Sequence, residues 1–220
     1  MSLEKHFRNR AKEVRAYLSS LMDIESQLAK STKLFYRSSS MLEASRASAF
    51  IMIYNCVEFA VVETIASVRA EISNSGISFH ELQTYWRNEI LRFRYSDKLA
   101  KGCNHDNLLS EFRDFIPGSI GWSSDVRSLP FSGNIDHQQL IAFVGKLGKK
   151  WKPPKSTLGG SDLNLIRNTR NALAHGDDSF QDVGRNYTAH DLIEKFDRIR
   201  IFIIGFIRFF ESYKRKKAFR

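Results

Sequence analysis

The sequence predicts an all-α bundle interrupted once by an irregular elaboration. Three observations lead there. Apolar residues recur at steps of three, four and seven over long stretches at both ends of the chain. Only 4 Pro and 12 Gly occur in 220 residues, too few for a many-stranded, turn-rich sandwich. All four prolines and seven of the glycines fall between Pro117 and Gly160, so the irregular chain is concentrated in one place. The length suits a single domain over 1–220, with 117–160 as the elaboration ahead of the most informative helix.

The first helix spans about Leu3 to Ala29, with Leu3, Phe7, Ala11, Val14, Leu18, Leu21 and Leu28 on one face. Lys5, Lys12 and Glu13 fall outside that stripe and Glu25 falls inside it. Ser31 and Thr32 offer a break. A second helix starts between Leu34 and Ser40 and reaches Ile72. It is apolar almost all round through Phe50, Ile53, Tyr54, Val57, Val61 and Ile65, as befits the centre of a bundle. Asn55, Glu58 and Glu63 argue against reading it as a membrane span, and Arg200 and Arg208 do the same for the apolar run Ile199 to Phe210. Asn74-Ser75-Gly76 stops the second helix. Ser78 and Glu81 have capping-box spacing and open a third helix through Leu82, Trp86, Ile90 and Phe93. A shorter helix follows from about Asp106 to Phe115.

Inside the elaboration the pattern supports one helix, Asp136 to Leu147. Trp122, Phe131, Phe143 and Trp151 give this region apolar anchors, which suit either a cover over a cleft or a closure of the core. Ser161 or Asp162 caps the next helix, which ends at His175-Gly176. A polar loop follows. Thr188 or His190-Asp191 then starts the last helix, through Ile193, Phe196, Ile199, Phe202, Ile203, Phe206, Phe210 and Tyr213, and the basic run Lys214-Arg215-Lys216-Lys217 comes after it.

Charge and cysteine content narrow the chemistry. The chain carries 34 Lys+Arg against 24 Asp+Glu, a formal charge of +10, which favours a polyanionic partner: nucleic acid or an anionic membrane surface. Two Cys exclude a disulfide framework and a Cys-based zinc site, and His6, His80, His105, His137 and His190 show no metal-ligand spacing among themselves or with the cysteines, so no metal or cofactor is expected. The charged start Met1-Ser2-Leu3-Glu4-Lys5-His6-Phe7-Arg8 is no secretory signal, and cytoplasmic residence is the expectation.

The helix Asp162 to His175 carries the sharpest signal. At about 100° per residue, Leu165, Ile166, Thr169, Ala172 and Leu173 form an apolar arc. Asn164, Arg167, Asn168, Asn171 and His175 lie opposite. Arg170 sits on the border between packed interface and solvent. Metal-free cleavage of RNA needs a group that takes the ribose 2′-OH proton and cations that hold the phosphorane-like transition state. Histidine supplies the first near neutral pH, and the arginine fork supplies the second. Asparagine orients either. His175 in the last turn also favours imidazolium through the helix dipole. A plainly solvated helix face carries the same residue types, so both readings stand on spacing alone. Arg167 reads as a second phosphate contact or a surface arginine. The run Lys214, Arg215, Lys216, Lys217 reads as a grip on RNA backbone or a solvated terminus.

The segment Arg170-Asn171-Ala172-Leu173-Ala174-His175 resembles the R-[polar]-x-x-x-H signature of HEPN domains. Gly176-Asp177-Asp178-Ser179-Phe180, Val183-Gly184-Arg185-Asn186-Tyr187-Thr188 and Leu129-Pro130-Phe131-Ser132-Gly133-Asn134-Ile135 are similar to a prokaryotic branch of HEPN-like nucleases. The resemblance implies an all-helical bundle and a metal-independent endoribonuclease, a toxin or phage-defence RNase that dimerises so that two motifs face one cleft. It implies Arg170 on the scissile phosphate, Asn171 positioning it, His175 as acid/base, and a cognate antitoxin as partner. Some toxin branches carry Tyr two positions after the His as a target for nucleotidylation. Asp177 stands there in this chain and does not support that mode of neutralisation. The alternatives are a non-catalytic RNA- or partner-binding HEPN module and, from a different class, a membrane-surface protein using the basic run.

Overall fold

The computed structural model describes residues 2–30, 32–100, 128–131 and 134–220, with the side chains of all but 32–38 and 93–100. Its α-helices are α1 (Leu3–Leu28), α2 (Thr32–Asn74), α3 (Thr84–Ala100), α4 (His137–Lys146), α5 (Ser161–His175), α6 (Phe180–Arg185) and α7 (Ala189–Arg215). Among the described residues there is no strand. The expected helix from Asp106 to Phe115 lies outside the described residues, as does Trp122.

Three long helices form the frame. Polar ties fix how they run. Arg208 Nε donates to Glu4 Oε2 (2.8 Å) at one end of the α1–α7 pair, and the Ala189 N–H donates to Glu25 Oε1 (2.9 Å) at the other, so these helices are antiparallel. The hydroxyl of Tyr17 donates to the Ser45 carbonyl (2.8 Å), and Lys214 Nζ donates to Ser67 Oγ (3.1 Å), which sets α2 antiparallel to α1 and parallel to α7. Phe7, Leu18, Phe50, Ile53, Val57, Phe196, Phe202 and Phe206 are all fully buried between them. The Ser39–Asn74 part of α2 is long and apolar enough to cross a membrane by composition. However, 56% of its most apolar window is buried inside the bundle, and α2 is a core helix.

The elaboration, where described, closes this core. Phe143 of α4 stacks on Phe210 with ring centroids 5.7 Å apart, and Trp151 meets Phe202 edge-on at 5.0 Å. Phe131 packs on the same cluster. At the α2–α3 junction, buried Arg69 forks onto Glu89 (2.8 and 3.1 Å) and reaches the Ser128 carbonyl at 2.8 Å.

Several boundaries differ from the sequence expectation. The Ser78–Glu81 capping box exists, but it closes a single 3-10 turn, Phe79–Glu81, and α3 begins only at Thr84. Neither Ser161 nor Asp162 caps α5. Gly160 does, at φ +93°, because Phe202 and His137 leave no room there: a Cβ would stand 2.5 Å from Phe202 and 2.7 Å from His137. The Asp162 carboxylate instead accepts from Arg198 Nε at 2.6 Å. The stretch read as a polar loop contains α6, capped by Ser179 and pressed onto α2 so closely that a Cβ on Gly184 would overlap the Glu43 carbonyl oxygen at 1.8 Å. Of the two starts expected for α7, Thr188 is the cap, and it forms a capping box with Asp191.

Candidate functional site

Helix α5 presents the motif because of how it is anchored and where it stops. Leu163, Ile166 and Leu173 are buried and fix its inner face. Gly176 takes the left-handed conformation (φ +77°), its N–H and that of Asp177 turn back to the Ala172 carbonyl, and the helix ends directly after His175. His175 is therefore left exposed. Among the described residues its ring has no hydrogen-bond partner.

Arg170 lies on the inner line between Ile166 and Leu173, where an aliphatic side chain would be the usual occupant. Tyr54 of α2 accommodates it: the guanidinium sits over the phenol ring, 4.6 Å from its centroid. Arg170 Nη1 donates to Asn171 Oδ1 (3.0 Å), and Asn171 Nδ2 donates to Asn134 Oδ1 (3.1 Å). Among the described residues no carboxylate pairs with Arg170. Glu58, one turn along α2 from Tyr54, pairs with neither Arg170 nor Arg167.

Three consecutive residues ahead of α4 clamp this arrangement. Asn134 holds Asn171. The Ile135 N–H donates to the Tyr54 hydroxyl at 2.9 Å. Asp136 caps α4 through the Gln139 N–H (2.7 Å) and takes Arg167 Nη1 on its other oxygen. Arg167 Nε and Nη2 both donate to Asn168 Oδ1 (3.1 and 2.8 Å). The two arginines of the helix are thus unlike: Arg167 is tied to a carboxylate and Arg170 is held by a ring and an amide. Tyr54 is fully buried, and burial raises its phenol pKa above the ordinary tyrosine value, against the opposing pull of the Ile135 N–H and Arg170. It stays a neutral platform.

Tyr54, Asn134 and Asp136 escaped the sequence reading. Tyr54 is indistinguishable by pattern from any core aromatic of α2. Asn134 and Asp136 sit in a stretch whose pairing with α5 only the tertiary fold reveals, although the Leu129–Ile135 phrase had marked the neighbourhood. The basic run lies elsewhere. Lys214 bonds Ser67, which is about 20 Å along α2 from Tyr54 by the helical rise, and also pairs with Glu211 at 3.0 Å. Arg215, Lys216 and Lys217 are exposed. Among the described residues no group of three or more His, Cys, Asp or Glu is placed to hold a metal ion.

An all-α bundle whose penultimate long helix ends in Arg-Asn-x-x-x-His, closed by one more long helix, defines a HEPN-superfamily domain. The family model described as RiboL-PSP-HEPN matches residues 5–212, nearly the whole chain, and the protein belongs to that family. That makes it a module of the HEPN nuclease and RNA-binding class. No curated protein and no solved structure matches the chain.

Proposed function

We propose that this protein is a metal-independent endoribonuclease whose site is built from Arg170, Asn171 and His175. One observation carries the reading: an arginine with no carboxylate partner among the described residues is pre-oriented by Tyr54 and Asn171 on the same helix end that leaves His175 exposed. In the reaction, His175 takes the proton of a ribose 2′-OH. The 2′-oxygen attacks phosphorus, the P–O5′ bond breaks, and the 5′-oxygen takes a proton from an imidazolium. The products are a 2′,3′-cyclic phosphate and a 5′-hydroxyl. Arg170 donates to the non-bridging oxygens as their charge develops, and Asn171 fixes the arginine's angle.

A homodimer with a composite cleft completes this site. Within one α5, Arg170 and His175 are about 7.5 Å apart along the axis and about 140° apart in azimuth. A second copy brings a motif to face the first and supplies the second imidazole, so that base and acid are separate groups. Exposed apolar side chains at the same end of the bundle favour such an association. Phe180 follows His175 by five residues, and Met41 (58% exposed) adjoins Leu42, which packs with Leu21 next to exposed Met22. We further read the protein as a cytoplasmic toxin or phage-defence RNase controlled by a cognate antitoxin. Asp177 in place of a tyrosine points to control by binding rather than by nucleotidylation.

The test is RNA incubated with chelator, comparing wild type with His175→Ala. Cleavage by wild type alone, leaving cyclic phosphate ends, is expected. Equal cleavage by both, or cleavage only on adding a divalent metal, would overturn the proposal. A strictly monomeric species at micromolar concentration in solution scattering would overturn the composite cleft. A second reading, a non-catalytic RNA-binding module, is favoured by one feature: no described residue orients the His175 ring. Salt-sensitive RNA binding without any turnover would establish it instead.

A further inference from the structure

The surplus charge of this chain is not spread over its surface. Residues 146–155 and 211–220 together hold ten Lys or Arg and one carboxylate, Glu211, so they account for nine of the ten net positive charges. Elsewhere many of the arginines are spent on carboxylates: Arg8 and Arg208 on Glu4, Arg46 on Glu25, Arg69 on Glu89, Arg198 on Asp162. In these two segments, among the described residues, Lys214 alone is in an ion pair.

The fold brings the two segments together. Lys149, just past α4, and Lys216, just past α7, line one cleft of about 230 Å³ with Phe209, Ser212, Tyr213 and Ala218. The basic run there is not a loose tail. Lys217 turns the chain at φ +48°, the Ala218 N–H bonds the Tyr213 carbonyl at 3.0 Å, Phe219 is fully buried, and its carbonyl accepts from the Gln83 N–H at 2.9 Å. Lysines are therefore presented from a fixed backbone around a concavity with aromatic rings in its wall.

We propose that this cleft is a second RNA-binding site, distinct from the Arg170–His175 motif, that takes the phosphates and a base of a single-stranded segment. Phosphate-seeking cations beside an aromatic ring, here the partly buried Phe209, are what a sequence-tolerant single-strand site needs. A membrane surface fits less well, because the exposed large apolar side chains (Met22, Ile24, Met41, Ile141, Leu158, Phe180, Ile201) do not line the cleft, and its rings are recessed rather than projecting. The cleft lies at the Lys214–Ser67 level, about 20 Å along α2 from Tyr54. The nuclease reading therefore gains a substrate class: strands long enough to occupy both places.

The experiment is done in the His175→Ala protein, so that binding is read without cleavage and stands or falls apart from the nuclease proposal. Fluorescence anisotropy of a labelled 30-nucleotide oligo(U) and a 4-nucleotide oligo(U) is compared for the parent, Lys149→Glu/Lys216→Glu and Lys149→Arg/Lys216→Arg. The glutamate pair is expected to weaken the 30-mer about tenfold or more and to lower the slope of log affinity against log salt by about 1.4, two contacts at about 0.7 each. The arginine pair is expected to bind as the parent does. The contrast between long and short strands is expected to collapse in the glutamate pair. Unchanged 30-mer binding by a folded glutamate pair would overturn the site. So would loss of binding to phosphatidylserine vesicles with RNA binding intact, which would assign the patch to a membrane.

Discussion

Arg170 and Tyr54 show how one buried ring decides what a charged side chain can do. Arg167, on the outer arc of the same helix, is tied to the Asp136 carboxylate, whereas Arg170 packs inward with no such tie among the described residues. Over the face of Tyr54, Arg170 is held in place and still has donors free for an anion. The hydroxyl of the same tyrosine holds the Ile135 N–H, which places Asn134 on Asn171. Tyr54→Phe separates the two roles. The ring under Arg170 remains, but a buried N–H loses its acceptor, so the variant is expected to be less stable by about 1–3 kcal/mol in urea unfolding. The Asn134–Asn171 contact should loosen and cleavage should fall severalfold, with substrate affinity nearly unchanged. A Tyr54→Phe protein of wild-type stability would show that the Ile135 bond contributes nothing at this position.

At the scale of elements, the most demanding contact is α6 on α2. Gly184 permits it, since a side chain there would occupy the space of the Glu43 carbonyl. Gly184→Ala is expected to push α6 off α2 and destabilise the protein by several kcal/mol, the usual scale for severe overpacking or more. The loss should be visible as a lowered urea midpoint and as faster hydrogen exchange of α6 amides. Wild-type stability would mean that the two helices can separate freely. The same contact explains why the sequence is an uneven guide. α1, α2 and α7 were legible because each repeats an apolar stripe over many turns, and α7 also announces itself by Thr188 and Asp191. The motif helix was legible for the opposite reason: its polar residues break the stripe at a regular spacing. Helix α6 has six residues and too few apolar positions to show a period, and what makes it a helix is the surface of α2 beneath it. Gly160 was hidden likewise, because the crowding by Phe202 that excludes a side chain comes from 42 residues away in the chain.

For the whole molecule, the relevant balance is between cations that hold the bundle together and cations that are left over. Glu4 ties α1 to α7 by accepting from Arg208 and Arg8, and these bonds, Arg208 first, hold its pKa below the ordinary glutamate value. Asp191 is lowered in the same sense by the Thr188 hydroxyl and N–H, and Glu81 by the Ser78 N–H and hydroxyl. A carboxylate with a lowered pKa in the folded state is protonated more readily once unfolded. Its contribution is complete above the ordinary carboxylate range near about pH 4 and is lost as pH falls through that range to the folded values. Protonation also removes negative charge from a chain that already carries +10, so repulsion between the lysine-rich segments grows in the same window. The urea midpoint is therefore expected to be nearly flat around neutrality and to drop below about pH 4.5. Glu4→Gln should lower the plateau and make the acid limb shallower, because the group whose ionisation is linked to the α1–α7 contact is gone. An acid limb as steep in Glu4→Gln as in the wild type would show that the Glu4–Arg208 tie does not couple to folding, and that charge repulsion alone drives the acid transition.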